Sequence, residues 1–383
     1  MSEAWFAAPG GDRAIGRGAR DQNRAAVTAL LDCLTHRRGI EARLEAPFIR
    51  PRTEAGPVLC CRTSGSSGRV KTIRRSQASW IASFEVNRDL FGLSDRDVYG
   101  VLGQLGHSLA LYATLEALHL GAGLRVLAGD SPRAQARQLA EAEVSVLYAT
   151  PTQLRQLGGA DAGSLPSVRH VFCGGGAMDP AGRAELAELC PGARLREFYG
   201  ASETSFIAIA DADTPEGSVG RAYPGARLEI RDGGEIWVAG PYLFDGYDGP
   251  NAPEVRRDGD FVSVGDLGHL DAAGYLFLRG RLSRMVKVAD QNLSLDAVEA
   301  VLAASGAAIC AAVAVPDARR GQAVVAVIEG PPDEALASRL RRACRDTLGA
   351  HAGPRFIRFV PRMPLLASGK PDLVQLARSF GGP

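Results

Sequence analysis

The stretch that decides the fold is VRHVFCGGGAMDPAGRAELAELCPGARLREFYGASE, Val168–Glu203. An apolar strand is predicted at 168–173, and it runs into three glycines. A helix follows with Asp179 as its N-cap and a proline at its first position. A second strand is predicted at 194–198. This order is typical of a parallel α/β sheet, whose ligand crevice forms at the carboxyl ends of the strands.

The same alternation of strands and helices extends outward from this unit. Hydrophobic periodicity predicts helices at about 21–34, 76–91, 109–120 and 133–143, and strands at 58–61, 124–127 and 144–149. Beyond Gly220, short strands and turns predict an antiparallel, barrel-like portion, and 282–383 reads as a small α+β unit with helices at 295–304 and 334–348. We therefore predict the α/β class: a large N-terminal domain, 1–281, with doubly wound sheet and a β-rich barrel-like portion, and a small, mobile C-terminal α+β domain, 282–383.

Composition excludes several classes of protein. The chain has 383 residues, 46% hydrophobic and 23% charged, so disorder does not describe it as a whole. A net charge of +1 gives no excess for a nucleic acid or an anionic membrane. The seven cysteines form no CxxC pair, which argues against a zinc site or a disulfide framework. Because no long apolar segment occurs, we predict a cytoplasmic protein without a membrane partner.

Lysine is rare in this chain. Of the 44 lysines and arginines, only Lys71, Lys287 and Lys370 are lysines. Biased codon usage explains the rarity but not the three positions. A lysine offers a compact ammonium that reaches one oxygen in a crowded site, which arginine does not. The three lysines are therefore candidates for specific tasks.

A loop rich in hydroxyls and glycines, TSGSSGRVKT, spans residues 63–72. It is predicted to follow a strand and precede a helix. Glycines let backbone N–H groups approach an anion, while hydroxyls and a lysine add donors, so the loop is a candidate for binding a triphosphate. The candidate residues are Thr63, Ser64, Gly65, Ser66, Ser67, Gly68 and Lys71. Because Lys71 lies three residues after Gly68, the Walker spacing is absent and a P-loop NTPase is disfavoured. The alternative is a flexible Gly/Ser loop.

Two further segments follow predicted strands at the same sheet edge. In YGASE, 199–203, the Glu203 carboxylate suits a metal ion that neutralises phosphate charge, and Tyr199 offers a flat face to a base. The stretch 174–177, GGGA, is free of large side chains, so planar adenine can lie against its backbone. An exposed acidic turn and a tight turn are the respective alternatives.

Later motifs are weak when taken one at a time. Asp266 can accept hydrogen bonds from vicinal ribose hydroxyls, and Arg281 can bind a phosphate or ribose oxygen, although hairpin turns explain both segments. Lys370 lies on a short loop beside a glycine, which alone reads as a surface turn.

Taken in order, these residues resemble the adenylate-forming superfamily, which includes acyl- and aryl-CoA synthetases, adenylation domains of peptide synthetases and luciferases. The resemblance covers about residues 58–371. It rests on TSGSSGRVK, YGASE, GDLGHLDAAGYLFLRGR, MVKVADQNLSLDAVE and LLASGKPD. It implies a large and a small domain joined at a hinge, here at Ser283.

The resemblance also implies a role for each matching residue. Residues 63–68 and Lys71 would bind the ATP phosphates; Ser202 and Glu203 would serve the α-phosphate and Mg²⁺. The residues implied to flank adenine are Gly174, Gly175, Gly176, Ala177, Tyr199 and Gly200. Asp266 and Arg281 would bind ribose, and Lys287 and Asn292 would approach the nucleotide. His107 would lie near the acyl pocket, with a core histidine as the alternative.

Lys370 would be the catalytic lysine of the small domain. A carboxylate that attacks the α-phosphate brings two anions together, and an ammonium between them stabilises the charge that develops.

Two departures from the family pattern carry expectations. The first loop begins at residue 63, so the N-terminal subdomain is reduced, and we expect a partner chain to cover it in a homodimer. Asp290 replaces a glycine on the strand that approaches the thiol acceptor, where it adds bulk and negative charge.

We expect the chain to be an acyl- or aryl-CoA ligase that uses ATP and Mg²⁺ to form an acyl-adenylate and passes the acyl group to CoA. Loading of a carrier protein or an amine is one alternative, and a non-catalytic nucleotide-binding homologue is another. The acid pocket is expected to be apolar and to take an aromatic or medium aliphatic acid, with a lining of Leu109, Leu111, Ala149, Phe206 and Ile207.

Overall fold

The computed structural model describes residues 4–9, 20–54, 56–63, 71–160, 163–250, 252–307, 309–365 and 371–380. Its helices are α1 Asp21–Thr35, α2 Gln77–Phe91, α3 Ser108–Leu120, α4 Pro132–Glu141, α5 Pro151–Gly158, α6 Pro180–Leu189, α7 Leu295–Ala304, α8 Glu334–Leu348 and α9 Leu373–Ser379. Its strands are β1 Ile40–Ala42, β2 Ile49–Pro51, β3 Val58–Thr63, β4 Lys71–Ser76, β5 Val98–Val101, β6 Gly123–Val126, β7 Val146–Ala149, β8 His170–Gly174, β9 Arg194–Ala201, β10 Ser205–Ile209, β11 Ser218–Ala222, β12 Arg227–Arg231, β13 Glu235–Ala239, β14 Gly246–Asp248, β15 Arg256–Asp258, β16 Phe261–Ser263, β17 Asp266–Leu270, β18 Tyr275–Arg281, β19 Met285–Val288, β20 Gln291–Ser294, β21 Cys310–Asp317, β22 Gly321–Glu329 and β23 Phe356–Val360.

The large sheet has a parallel half in the order β6-β5-β7-β8-β9. Alternate residues of its strands face opposite sides, so Tyr148 packs with α1, α2 and α3, whereas Leu147 packs with α4, α5 and α6. Helices therefore cover both faces, which confirms the predicted doubly wound arrangement. The helix Pro180–Leu189 begins as predicted, since the Asp179 side chain accepts a hydrogen bond from the Gly182 amide.

Beyond β9 the same sheet continues in antiparallel pairing. The order is β9-β10-β11-β18-β17-β13-β16-β15, and β12 pairs with β13. These are the short strands that the sequence predicted beyond Gly220. A second sheet, β14-β4-β3-β1-β2, brings β14 from the far end of this region onto β4.

Residues after Arg281 form the small α+β unit. Its sheet has the order β20-β19-β22-β21, with β23 parallel to β22. One apolar cluster packs α7 and α8 on one face of this sheet, and another packs α9 on the other. The helices Leu295–Ala304 and Glu334–Leu348 have the predicted bounds. The division of the chain at residue 281 stays a prediction.

Two findings concern the whole described chain. Six of the seven cysteines are buried and all seven are unpaired, as expected of small apolar residues. Helices long and apolar enough to cross a bilayer are absent from the described ranges.

Candidate functional site

The carboxyl ends of β7, β8 and β9 lie side by side, as expected for parallel neighbours. Gly174 ends β8 and is the register partner of Phe198 on β9. A methyl group on Gly174 would lie 2.2 Å from the Phe198 ring, so only glycine fits against that ring. Gly175, Gly176 and Ala177 follow with their backbone exposed, next to the first turn of α5. The backbone of 175–177 is therefore exposed at this edge, and its binding of adenine stays a prediction.

The YGASE segment forms a tight hairpin between β9 and β10. Ala201 pairs with Ser205, so 202–204 make a three-residue loop, and Ser205 has a left-handed φ of 57°. The Ser202 hydroxyl shares a hydrogen bond of 2.8 Å with the hydroxyl of Ser108, the first residue of α3. His107 precedes Ser108, and burial lowers the pKa of its imidazole. The structure thus places His107 one residue away from a contact with the loop.

The hydroxyl-rich loop joins two antiparallel strands. Thr63 ends β3 and pairs with Lys71, which begins β4. The prediction that a helix follows the loop directly was wrong, because β4 intervenes before α2. The candidates Ser64, Gly65, Ser66, Ser67 and Gly68 lie outside the described residues.

A tyrosine connects this hairpin to the YGASE loop. The Lys71 Nζ lies 5.0 Å from the centre of the Tyr247 ring, and the Tyr247 hydroxyl donates a hydrogen bond of 3.0 Å to Glu203 Oε1. Burial, and secondarily Glu203, raises the pKa of Tyr247, so its hydroxyl keeps the proton that it donates. Two candidates that are distant in sequence, Lys71 and Glu203, are thereby brought together.

Asp266 lies at the centre of a second group. It pairs in register with Arg281, whose Nε lies 3.1 Å from Asp266 Oδ1. The Tyr199 hydroxyl donates to Asp266 Oδ2 over 2.5 Å. Burial, followed by the Asp266 charge, raises the pKa of Tyr199 well above its usual range. The structure therefore joins the candidates for adenine and for ribose.

The small-domain candidates lie apart from these groups. Lys287 and Asn292 are exposed register partners on β19 and β20. Within the described ranges, no hydrogen bond or salt bridge joins either side chain to the large-domain candidates. Lys370 lies outside the described residues.

Sequence reasoning missed two residues of the site, Tyr247 and Arg75. Tyr247 gave no periodic signal, because β14 is short and polar. Arg75 is fully buried, and it donates to the Ser202 carbonyl over 2.6 Å and to the Ser205 hydroxyl over 2.7 Å. The sequence pattern that could have identified Arg75 is the alternation of β4, in which residues 71, 73 and 75 share one face.

The expected acid pocket was wrong in part. Leu111, Ala149 and Ile207 are fully buried, but they belong to three different apolar clusters. Ala149 faces α4–α6, on the opposite side of the sheet from Leu111 and Phe206. The five residues therefore do not line one pocket.

The donor set suits Mg²⁺ rather than a metal held by protein alone. Among the described residues, no group of three or more His, Cys, Asp and Glu side chains could hold a metal ion. Glu203 is half-buried and has one oxygen engaged by Tyr247. A single carboxylate fits Mg²⁺, which is bound through one or two carboxylates and keeps waters and substrate phosphate oxygens as its other ligands.

Known proteins give a consistent assignment. Residues 18–248 match the family model "AMP-binding enzyme", and residues 297–370 match "AMP-binding enzyme C-terminal domain". The chain is 31% identical to the uncharacterised acyl-CoA ligase YhfT of Bacillus subtilis, over 80% of this chain and 65% of that protein. It is 29% identical to a 2-succinylbenzoate-CoA ligase of Enterococcus faecalis, over 80% of this chain and 66% of the relative.

The fold also matches a solved structure, that of the amide bond synthetase McbA from Marinactinospora thermotolerans. The TM-score is 0.74 at 28% identity, covering 88% of this chain and 72% of McbA. The chain spans just under two thirds of the length of the two curated relatives. Because both family models match in order, the first over more than half of the chain, the chain belongs to the AMP-binding, adenylate-forming enzyme family.

Proposed function

We propose that this protein activates a carboxylic acid with ATP, forming an acyl-adenylate and pyrophosphate, and then transfers the acyl group to the thiol of CoA, whereby the acyl–phosphate bond breaks and AMP leaves. The observation that carries the proposal is the group Lys71, Tyr247 and Glu203 beside the ends of β8 and β9. A lysine that forms no salt bridge within the described ranges and a carboxylate, both in contact with one tyrosine, provide the charges that suit a metal-bound triphosphate.

In the first step a carboxylate oxygen attacks the α-phosphorus, the bond from that phosphorus to the bridging oxygen breaks, and pyrophosphate leaves. Lys71 binds phosphate oxygens, and the Ser202 hydroxyl donates at the α-phosphate. Lys370 bridges the two anions as they approach each other. Mg²⁺, when held by Glu203, neutralises phosphate charge.

Asp266 holds the ribose in this proposal. The carboxylate Oδ2 accepts a hydrogen bond from Tyr199, and Oδ1 lies 3.1 Å from Arg281 Nε in a salt bridge. A carboxylate oxygen accepts more than one hydrogen bond, so each still accepts a ribose hydroxyl. The two contacts orient the carboxylate and hence the sugar.

CoA is favoured as the acceptor by a basic cavity in the small domain. The cavity has a volume of about 390 Å³, and the charged side chains that line it are Asp317, Arg319, Arg320, Arg341, Arg345 and Arg355. Arg355 pairs with Asp317, but none of the other four arginines forms a salt bridge within the described ranges. Their charge is thus available for the diphosphate and 3′-phosphate of CoA, which an amine substrate lacks.

A pair of arginines on one helix tests the acceptor. Arg341 and Arg345 are four residues apart on α8 and share its cavity-facing side. The double variant R341A/R345A should raise the KM for CoA by about tenfold, with pyrophosphate release unchanged. R342A on the same helix is the matched control, since Arg342 is exposed and outside the cavity. An unchanged KM for CoA would remove this support.

The proposed chemistry is tested by pyrophosphate release from a panel of aryl, cinnamic-type, fatty and amino acids, each with and without CoA. K370A should abolish acid-dependent release while the variant still binds ATP in calorimetry. Release that persists in K370A would refute the assigned role of Lys370. Because McbA is an amide bond synthetase, the panel also includes amines; amide formed faster than thioester would replace CoA by an amine as the acceptor.

A further inference from the structure

Arg75 is a fully buried cation beside the YGASE loop. Its exposed fraction is 0%, and no salt bridge within the described ranges includes it. The acceptors that its guanidinium bonds are all neutral: the Ser202 and Tyr242 carbonyls and the hydroxyls of Ser79 and Ser205. Burial of an unpaired charge is unfavourable, so its presence calls for a physical reason.

The charge persists at neutral pH. Burial lowers the pKa of Arg75 to about 10, which is still well above 7. The guanidinium also lies 5.0 Å from the Trp80 ring, which stabilises a cation without neutralising it. The charges of Glu203 and Asp245 help to keep Arg75 protonated, although neither carboxylate forms a salt bridge with it within the described ranges.

The two shortest hydrogen bonds of Arg75 go to the two ends of the YGASE loop. Nη2 donates to the carbonyl of Ser202, where the loop begins, and Nη1 donates to the hydroxyl of Ser205, just after it ends. Ser205 also accepts from Trp80 Nε1 over 3.0 Å and donates to the Tyr242 carbonyl over 3.2 Å. These bonds hold a residue with a φ of 57°, a conformation that serine rarely adopts. A planar fork that reaches both ends of the loop fixes where Ser202 and Glu203 point.

We propose that Arg75 is a positioning residue of the nucleotide site: it clamps the Ser202–Glu203 loop at both ends, and its buried positive charge favours the binding of an anion beside the loop. The inference rests on the proposed function, because Ser202 and Glu203 serve the nucleotide only there.

The test compares R75L and R75K with the wild type, and uses R74L as the matched control. Arg74 is the next residue on β4, and its side chain bonds Glu54 and Asp245 at the surface. ATP affinity is measured by calorimetry without acid, and the Mg²⁺ concentration for half-maximal pyrophosphate release is measured with acid. Denaturant unfolding reports stability separately.

We expect R75L to weaken ATP binding by about 10- to 100-fold and to raise the Mg²⁺ requirement, since both charge and clamp are lost. R75K keeps the charge but not the fork, so it should recover ATP affinity more than the Mg²⁺ requirement. R74L should change neither. If Arg75 had only a structural role, its variants would change the unfolding midpoint, but R75K would not recover ATP affinity more than the Mg²⁺ requirement.

The outcomes distinguish the two proposals. If the wild type binds ATP and R75L binds it equally well, the inference is overturned and the proposed function stands. Wild type that binds no ATP overturns both. If R75L fails to fold, the test uses R75K and S205A instead. S205A removes the hydroxyl that accepts a hydrogen bond from Arg75 but keeps the charge of Arg75. An unchanged Mg²⁺ requirement in both variants overturns the proposal that Arg75 holds the loop.

Discussion

The turn between β19 and β20 places two residues with side chains in a conformation that favours glycine. Val288 pairs with Gln291, so Ala289 and Asp290 form a two-residue hairpin loop, with φ of 51° and 63°. Positive φ at both positions is typical of a type I′ turn, for which Asn-Gly is the preferred pair. The left-handed conformation costs an ordinary L-residue about 1–2 kcal/mol. The sequence-based expectation that Asp290 lies on a strand is wrong, because it lies in the turn between β19 and β20; its φ is nevertheless one that favours glycine.

Replacement of the pair by Asn-Gly should therefore stabilise the small domain. We expect A289N/D290G to raise the free energy of unfolding by about 1–2 kcal/mol. The greater conformational entropy of glycine in the unfolded chain offsets a few tenths of a kcal/mol of this gain. Urea denaturation measures this as a higher midpoint with an unchanged slope. A343G provides the sign control, because replacing alanine by glycine within α8 should lower the free energy of unfolding by about 0.5–1 kcal/mol. A midpoint that falls or does not move in A289N/D290G would refute the turn assignment.

Substitutions of Asp290 distinguish an effect of backbone strain on catalysis from an effect of charge. D290N keeps the strained backbone but removes the negative charge, and D290G removes both. A unit charge about 4 Å from an anion in water opposes it by about 1 kcal/mol, so both variants should speed thioester formation roughly fivefold. Pyrophosphate release should not change. A faster rate in D290G alone would assign the effect to the backbone, and no gain in either variant would contradict the proposed nearness of Asp290 to the thiolate.

Further predictions concern single contacts of the large domain. G174A should lower the free energy of unfolding by about 1–3 kcal/mol, because its methyl group would lie 2.2 Å from the Phe198 ring. An unchanged denaturation midpoint would show that the ring moves away freely. Y247F removes the hydroxyl that Glu203 accepts, so the Mg²⁺ concentration for half-maximal pyrophosphate release should rise about two- to tenfold; no rise would exclude Tyr247 from positioning that carboxylate. Burial raises the pKa of Glu116 from 4.5 to about 7, so the native state keeps a proton that the unfolded chain loses between those values. Stability should fall by a few kcal/mol as pH rises through this window and level off above it, and E116Q should remove that slope in denaturation midpoints; a slope that persists would point to another group.

The elements predicted from sequence are those whose signals are local. The bounds of α7 and α8 follow from apolar spacing and from caps: the Ser294 side chain accepts from the Ala297 amide, and the Asp333 side chain from the Leu336 amide. Such bonds join residues three positions apart, so the sequence displays them directly.

The missed elements depend on contacts between distant segments. The strand β4 reads as polar because its inward positions include Lys71 and Arg75 rather than apolar residues. Its partners are fixed by pairing with β14, about 170 residues away along the chain, which no periodicity reveals. The Tyr247–Glu203 bond and the clamp by Arg75 arise from this pairing, so the residues that the site needs were predictable only where a motif named them.

The inward and outward cations of β4 explain how a chain with a net charge of +1 can present an anion site. Arg74 points outward, and Glu54 and Asp245 neutralise it. Lys71 and Arg75 share the other face, and neither forms a salt bridge within the described ranges; Glu203, which Tyr247 links to Lys71, is a carboxylate whose charge also acts on Arg75. The Lys71 ammonium lies over a tyrosine ring, whereas Arg75 donates hydrogen bonds to two carbonyls and two hydroxyls. In the two proposals Lys71 binds phosphate and Arg75 positions the loop. These roles match the difference between a flexible ammonium and a planar guanidinium, which the net charge of the chain does not reveal.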